Sequence, residues 1–243
     1  MTWLSDTWNW LTDPSNWSGP DGAGGLLWQH IWLSAVALIV AFVLVAPLGV
    51  WLGHERRGAG VALNVGNIGR AVPTFALLVL LTMAPRPLGP SSLSVIVALV
   101  LFAIPPILTN SYVGVREVDP AAVDAARGMG MSGWQVLRGV ELPLAAPLIV
   151  QGARLAAVQI IATATIAGIV GGGGLGQLIT AGFSLQDQPQ LLSGAVLVAV
   201  LALVVEGIFE VVQRLARPVP VEAERVRRHR GGSRSPAAVG ASD

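Results

Sequence analysis

Five long apolar stretches govern what this chain can become: roughly residues 31–53, 62–84, 93–113, 144–170 and 190–213. About 20 mostly apolar residues in helical form cross a hydrocarbon core. Inside that core every backbone N–H and C=O must find its partner within the protein, so an isolated span is a helix. Runs of this length predict an all-α integral membrane protein with about five transmembrane helices. The charge content agrees, since only 12% of the 243 residues are Asp, Glu, Lys or Arg, against roughly 25% in a soluble domain. The second run is the most diluted, with Asn64, Asn67 and Arg70 at its start and Pro73-Thr74 inside it. The first run is long enough to span and no basic residue precedes it, so no cleavable leader is expected.

All fifteen basic residues are arginine, and their placement predicts orientation. Residues 1–30 contain none but hold Asp6, Asp13 and Asp21. Arg56, Arg57 and Arg70 fall after the first run, and Arg116, Arg127 and Arg138 after the third. Seven more follow from Arg214 to Arg234, whereas the second run is followed only by Arg86 and the fourth by none. Positive residues stay cytoplasmic. The N-terminus is therefore expected outside and the C-terminus inside. The chain divides into an extracytoplasmic or interfacial segment 1–25, a transmembrane domain 26–213 with a cytoplasmic loop at 116–143, and a basic, Pro/Gly/Ser-rich tail 214–243 expected to be disordered. Trp3, Trp8, Trp10 and Trp17 place the first segment at the headgroup level; a loose leader adhering to lipid is the alternative.

What is missing narrows function. Without a lysine the chain has no phosphate-binding loop, which needs one to reach the β/γ-phosphates. Any ATP used must be bound by another subunit. There is no cysteine, and His30, His54 and His229 have no metal-ligand spacing, so neither a metal nor a resident cofactor is expected. A net charge of about +1 draws the chain to no nucleic acid.

The polar stretch "DAARGMGMSGWQVLRGVELP", residues 124–143, is too wet to cross a bilayer yet well ordered in pattern. Asp119-Pro120 reads as a helix start, an acidic cap followed by proline at the first helical position. Gly130 suits the left-handed residue that ends the helix. Ser132 begins a second helix, and Gln135 completes a capping box. That helix is expected to run to about Glu141, with Leu142-Pro143 turning the chain into the next span. The result is a cytoplasmic helix–turn–helix. Ala125, Ala126 and Gly130 would permit close approach of a partner, and Met129, Met131 and Trp134 would offer apolar contact. An ordinary structured loop is the plainer reading.

The same stretch resembles the EAA loop of the permease subunits of bacterial ATP-driven importers, the binding-protein-dependent ABC type. That pattern is an acid, two alanines, a glycine six after the acid, an aliphatic residue ten further on, then x-Leu-Pro. Asp124, Ala125, Ala126, Gly130, Val140, Leu142 and Pro143 fill every slot, with aspartate where glutamate is usual. "RAVPTFALLVLL", "PPILTNSYVGVREVDPAAVDAARGMGM" and "GGGGLGQLI" extend the likeness over roughly residues 26–213 and resemble the osmoprotectant branch, which carries glycine betaine, carnitine and choline. Methionine and other amino-acid permeases share the architecture. The resemblance implies a type I importer permease fold with no catalytic site. It implies two permease subunits, identical or related, two ATP-binding cassette ATPase subunits holding the loop helix in a cleft, and an extracytoplasmic binding protein that delivers the solute. Lipid surrounds the whole.

Other features carry two readings each. "GGGGLG", residues 171–176, formally matches a dinucleotide fingerprint but follows a membrane helix rather than a strand, which excludes it. Gly171, Gly172, Gly173 and Gly174 form either a hinge or gate, or a plain turn. Asn110, Thr163 and Thr165 either line the pathway or bond helix to helix. Pro73 and Thr74 break the second span, as a pathway element or a simple kink. Gly49 and Gly53 make a helix-packing face. Arg154, Glu206, Glu210 and Arg214 are expected to pair near the cytoplasmic interface; the sharper reading makes Glu206 an ion or substrate site. On that reading the chain would be an ion-coupled secondary transporter. A non-transporting scaffold is a further alternative. Aromatic residues are too scattered for a cage around a quaternary ammonium, so affinity is expected to reside in the binding protein.

Overall fold

The computed structural model describes residues 2–85, 87–89 and 91–216. The expected tail therefore lies outside the described residues from 217 onward, and so does Arg86. Among the described residues all regular structure is helical: α1 (Thr2–Thr12), α2 (Ala23–His54), α3 (Ala59–Ala71), α4 (Thr74–Thr82), α5 (Ser92–Arg116), α6 (Pro120–Gly128), α7 (Gly133–Val136), α8 (Leu142–Ala167), α9 (Leu175–Leu185) and α10 (Gln188–Leu215). Among the described residues four helical stretches are long and apolar enough to cross a membrane: Ala23–His54, Ser92–Arg116, Gly133–Val170 and Gln188–Leu215. This is a multi-pass membrane protein.

The expected span 62–84 is two short helices, α3 and α4, instead of one. Proline disfavours helical angles in the residue before it and brings no N–H of its own. Val72 is accordingly extended (φ −73°, ψ 123°), and Pro73 (φ −66°, ψ 113°) caps α4 from outside. Its carbonyl accepts from Leu77 N at 3.1 Å, which starts the new helix.

One expectation is overturned. Leu142-Pro143 does not turn the chain; helix runs unbroken from Gly133 to Val170. The strain is absorbed upstream, where Leu137–Glu141 forms a π-turn. A proline ring inside an α-helix clashes with the carbonyl four residues back. Widening the turn by one residue gives the Pro143 ring that room.

The core is a three-helix contact of α2, α5 and α8. Leu33, Ala37, Ala41 and Val45 meet Val95, Ala98, Leu99, Ala103 and Ile107, with Ala156, Ile160 and Ala164 closing the third side. Alanines dominate because helices in lipid gain little from apolar burial and much from close contact. Gly49 and Gly53 are the extreme case. A Cβ on Gly49 would lie 2.9 Å from the Leu108 carbonyl oxygen, and one on Gly53 would lie 2.8 Å from that of Tyr112. They form the packing face read from their spacing.

α10 packs on the outside, against α8, α9 and α1. Its Val196, Val200, Leu203, Val204 and Val211 remain exposed, as befits a helix facing lipid or another subunit. The N-terminal segment is folded back rather than loose. Trp17 Nε1 donates to the Leu11 carbonyl at 2.8 Å, and Trp10 and Trp17 cover Ala23, Leu26, Leu175 and Leu178. Trp3 and Trp8 stay exposed.

Candidate functional site

The polar stretch forms a closed hairpin. The Asp119 carboxylate accepts from Ala121 N at 2.9 Å, and Pro120 takes the first helical position of α6. Gly130 (φ +84°) ends it. Met131 N donates to the Ala126 carbonyl (3.2 Å) and Gly130 N to that of Arg127 (2.9 Å), the paired bonds that satisfy the last orphan carbonyls of a helix. Ser132 and Gln135 then cap α7 reciprocally: Ser132 N donates to Gln135 Oε1 at 2.7 Å, and Gln135 N to Ser132 Oγ at 3.4 Å.

The hairpin has its own small core. Val123, Ala126, Val136 and Leu137 are buried with Val115, Val118 and Ala145, flanked by Val50, Met131, Val140, Leu142 and Ile149. Ala126 is therefore a core residue, which corrects the expectation that it faces a partner. Val140 and Leu142 hold the hairpin to the bundle. Asp124, Ala125, Gly130 and Pro143 are exposed. So are Met129 (77%) and Trp134 (59%), large apolar groups on an otherwise polar knob. The Arg138 guanidinium stacks 4.3 Å from the Trp134 ring centre, which holds the indole outward. A Cβ on Gly130 would meet nothing within 4 Å. Its glycine is required by the backbone angle and leaves the surface open.

The glycine run forms a turn between α8 and α9 at the opposite end of the bundle. Gly171, Gly173 and Gly174 have φ of +75°, +78° and +71°, a region closed to most side chains. Gly172 N donates to the Ala167 carbonyl at 2.8 Å. The turn is clasped from α2. Gly174 N donates to Gln29 Oε1 at 3.0 Å, and Leu175 N donates to His30 Nδ1 at 3.2 Å. His30, fully buried, donates from Nε2 to the Ile161 carbonyl at 3.2 Å. Accepting at one nitrogen and donating at the other requires the neutral ring with its proton on Nε2. One side chain thus joins α2, α8 and α9.

The remaining candidates separate. Asn110 lies against Gly152 at the α5–α8 contact and donates to the Pro106 carbonyl at 2.8 Å. Thr163 is buried. Thr165 donates to the Ile161 carbonyl at 3.2 Å and lines a groove of about 490 Å³ with Gly176, Thr180, Phe183 and Ser184. Pro73 is exposed and Thr74 half-buried at the α3–α4 break. The hairpin slots come together; the pathway candidates are dispersed over α4, α5, α8 and the glycine turn. Arg154 donates from Nε to Glu206 at 2.9 Å and from Nη1 to Gln213 at 3.1 Å, so α8 and α10 are pinned together. Glu210 pairs with Arg214 one turn on.

Sequence reasoning missed Gln29, His30 and the pairing of His54 with Glu141. His54 Nδ1 lies 2.5 Å from Glu141 Oε2, and Glu141 is 3% exposed. A buried carboxylate must be paired, but nothing short of the fold marks which of the acids is buried.

Residues 45–218 match the family described as binding-protein-dependent transport system inner membrane component. The chain is 35% identical over 190 residues to the glycine betaine/carnitine/choline transport system permease protein OpuCB of Bacillus subtilis (strain 168), covering 78% of this chain and 86% of that one. It is 39% identical to the carnitine transport permease protein OpuCB of Listeria monocytogenes, over 74% and 81% of the two chains. It is 34% identical to the osmoprotectant import permease protein OsmW of Salmonella typhimurium (strain LT2), over 82% and 94%. Among solved structures, an inward-facing conformation of the MetNI methionine ABC transporter superimposes with a TM-score of 0.70 at 25% identity, over 79% of this chain and 94% of that one.

Proposed function

Because this chain belongs to the binding-protein-dependent transport system inner membrane component family, we propose that it is the membrane-spanning subunit of an ATP-driven importer for osmoprotectants of the glycine betaine, carnitine and choline kind. Relatives named for those solutes are 35% and 39% identical, against 25% for a methionine transporter subunit. That difference favours osmoprotectants over amino acids. The secondary-transporter reading loses its support because Glu206, its one candidate ion site, is held by Arg154.

The hairpin carries the proposal. Asp124, Ala125, Met129 and Trp134 form an exposed knob on a rigid, doubly capped support. Such a knob fits a cleft on an ATPase subunit that supplies the ATP site this lysine-free chain lacks. With α3 and α4 together making a fifth crossing, the arginine pattern supports an N-terminus outside and a basic C-terminal end inside, with the hairpin on the cytoplasmic side. Two permease subunits, identical or related, enclose the pathway, and a binding protein delivers the solute from outside. Closure of the ATPase pair on ATP moves the hairpins and switches the pathway between two packings. The glycine turn, the α3–α4 break at Pro73-Thr74 and the Thr165 groove are the elements that open and close.

Reconstitution into vesicles with the ATPase and binding protein tests this. ATP-dependent uptake of labelled glycine betaine, competed by choline or carnitine and not by methionine, is expected. Uptake driven by an ion gradient without ATP would contradict it.

A further inference from the structure

The helix Gly133–Val170 joins the hairpin directly to the glycine turn. It is the obvious carrier of movement between them, yet it has a weak point. The π-turn Leu137–Glu141 interrupts its regular hydrogen bonding just below Pro143, and Pro147 removes a further N–H one turn on. A rod with such a joint pivots there unless something spans it.

α2 spans it. His54, the last residue of α2, bonds Glu141 inside the π-turn. The other edge of the same ring faces Gly133, where an added Cβ would lie 3.6 Å from Nε2. The ring is thus bonded to Glu141 and lies close to Gly133. Among the described residues, His54 is the one hydrogen-bond partner of the Glu141 side chain. At its other end α2 grips the far end of the same path, through Gln29 to Gly174 and through His30 to Ile161 and Leu175. His30 and His54 are 24 residues apart, about 36 Å of helix. Between them Gly49 and Gly53 lock α2 onto α5.

We propose that α2 is a splint: His54 with Glu141 at one end, and Gln29 with His30 at the other, make the hairpin and the glycine turn move as one body. This rests on the hairpin being the ATPase-docking element. His54, Glu141 and Gln29 are positioning residues on this account and touch no solute.

The native chain has no cysteine, so a single Gln177→Cys in the exposed first turn of α9 reports on the glycine turn. The readout is its labelling rate by a membrane-impermeant maleimide in the assembled transporter, with and without a non-hydrolysable ATP analogue. In the parent complex the rate is expected to change on nucleotide binding. His54→Leu with Glu141→Leu replaces the pair by apolar groups of similar bulk, which preserves packing without the link. Gln29→Leu with His30→Leu cuts the opposite end and leaves the hairpin untouched. Each is expected to co-purify with the ATPase and hydrolyse ATP, but to lose the nucleotide-dependent change at position 177. A merely structural role predicts an unchanged response. A preserved response in either assembled variant overturns the proposal. If the His54/Glu141 variant fails to assemble, the Gln29/His30 variant decides alone. Failure of the unmodified chain to bind any ATPase would instead overturn the docking role of the hairpin.

Discussion

A Cβ placed on Gly176 would lie 1.9 Å from the carbonyl oxygen of Thr165. The first turn of α9 thus rests on the end of α8 backbone to backbone. A Cβ on Gly168 would likewise meet the Gly176 backbone at 2.4 Å. Neither neighbour is a flexible side-chain tip, so neither can yield without moving a helix.

Gly176→Ala is therefore expected to destabilise the purified protein by about 1–3 kcal/mol, the usual cost of overpacking. Thermal unfolding in detergent measures it. Gly207→Ala is the control, since a Cβ there meets nothing within 4 Å and alanine is the better helix former. Equal melting temperatures for the two variants would contradict the contact.

Arg154 and Glu206 are expected to behave as a structural pair. Arg154→Met leaves the Glu206 carboxylate without its partner and should lower the melting temperature of the purified protein. Replacing both by methionine should recover most of that loss, because apolar pairs often substitute for buried ion pairs. Solute uptake by the double variant should remain near that of the native chain. Abolished uptake in a stable double variant would restore Glu206 as a functional site.

Ser132→Ala removes one half of the α7 capping box and should cost ~1 kcal/mol of local stability. Amide exchange at Gln135, whose N–H faces the Ser132 hydroxyl, should speed up accordingly. Exchange unchanged from the parent would mean that the hairpin is held by its core alone.

Gly130→Trp should insert normally in the membrane but fail to assemble with the ATPase. Gly130→Ala separates bulk from strain, because both variants must adopt φ of +84° while only tryptophan fills the open surface. Co-purification of the tryptophan variant at parent levels would remove Gly130 from the docking face.

Features that depend on neighbouring residues are legible in the sequence. The Asp119-Pro120 start, the Gly130 stop, the Ser132–Gln135 box and the break at Pro73 are each set within a few positions. So is the apolar length of the spans. What escaped reading depends on residues far apart in the chain. His30 meets Leu175 across 145 positions and Glu141 meets His54 across 87. No periodicity encodes such a meeting. The π-turn escaped for another reason: Leu-Pro at 142–143 signals a helix boundary locally, whereas in the fold the helix continues and Val140 and Leu142 pack on the hairpin core. Ala126 lies in the core although its sequence suits a partner face, because an alanine pair does not reveal which member faces inward.

The docking role of the hairpin is tested most directly by Ala125→Cys, an exposed position on α6 in a chain with no other cysteine. In the intact assembly, treated with a short thiol cross-linker, this residue is expected to join to a cysteine introduced in the ATPase cleft. Uptake should then stop, and reduction of a cleavable linker should restore it. Labelling of Ala125→Cys from outside intact cells, with no cross-link to any ATPase subunit, would contradict the account.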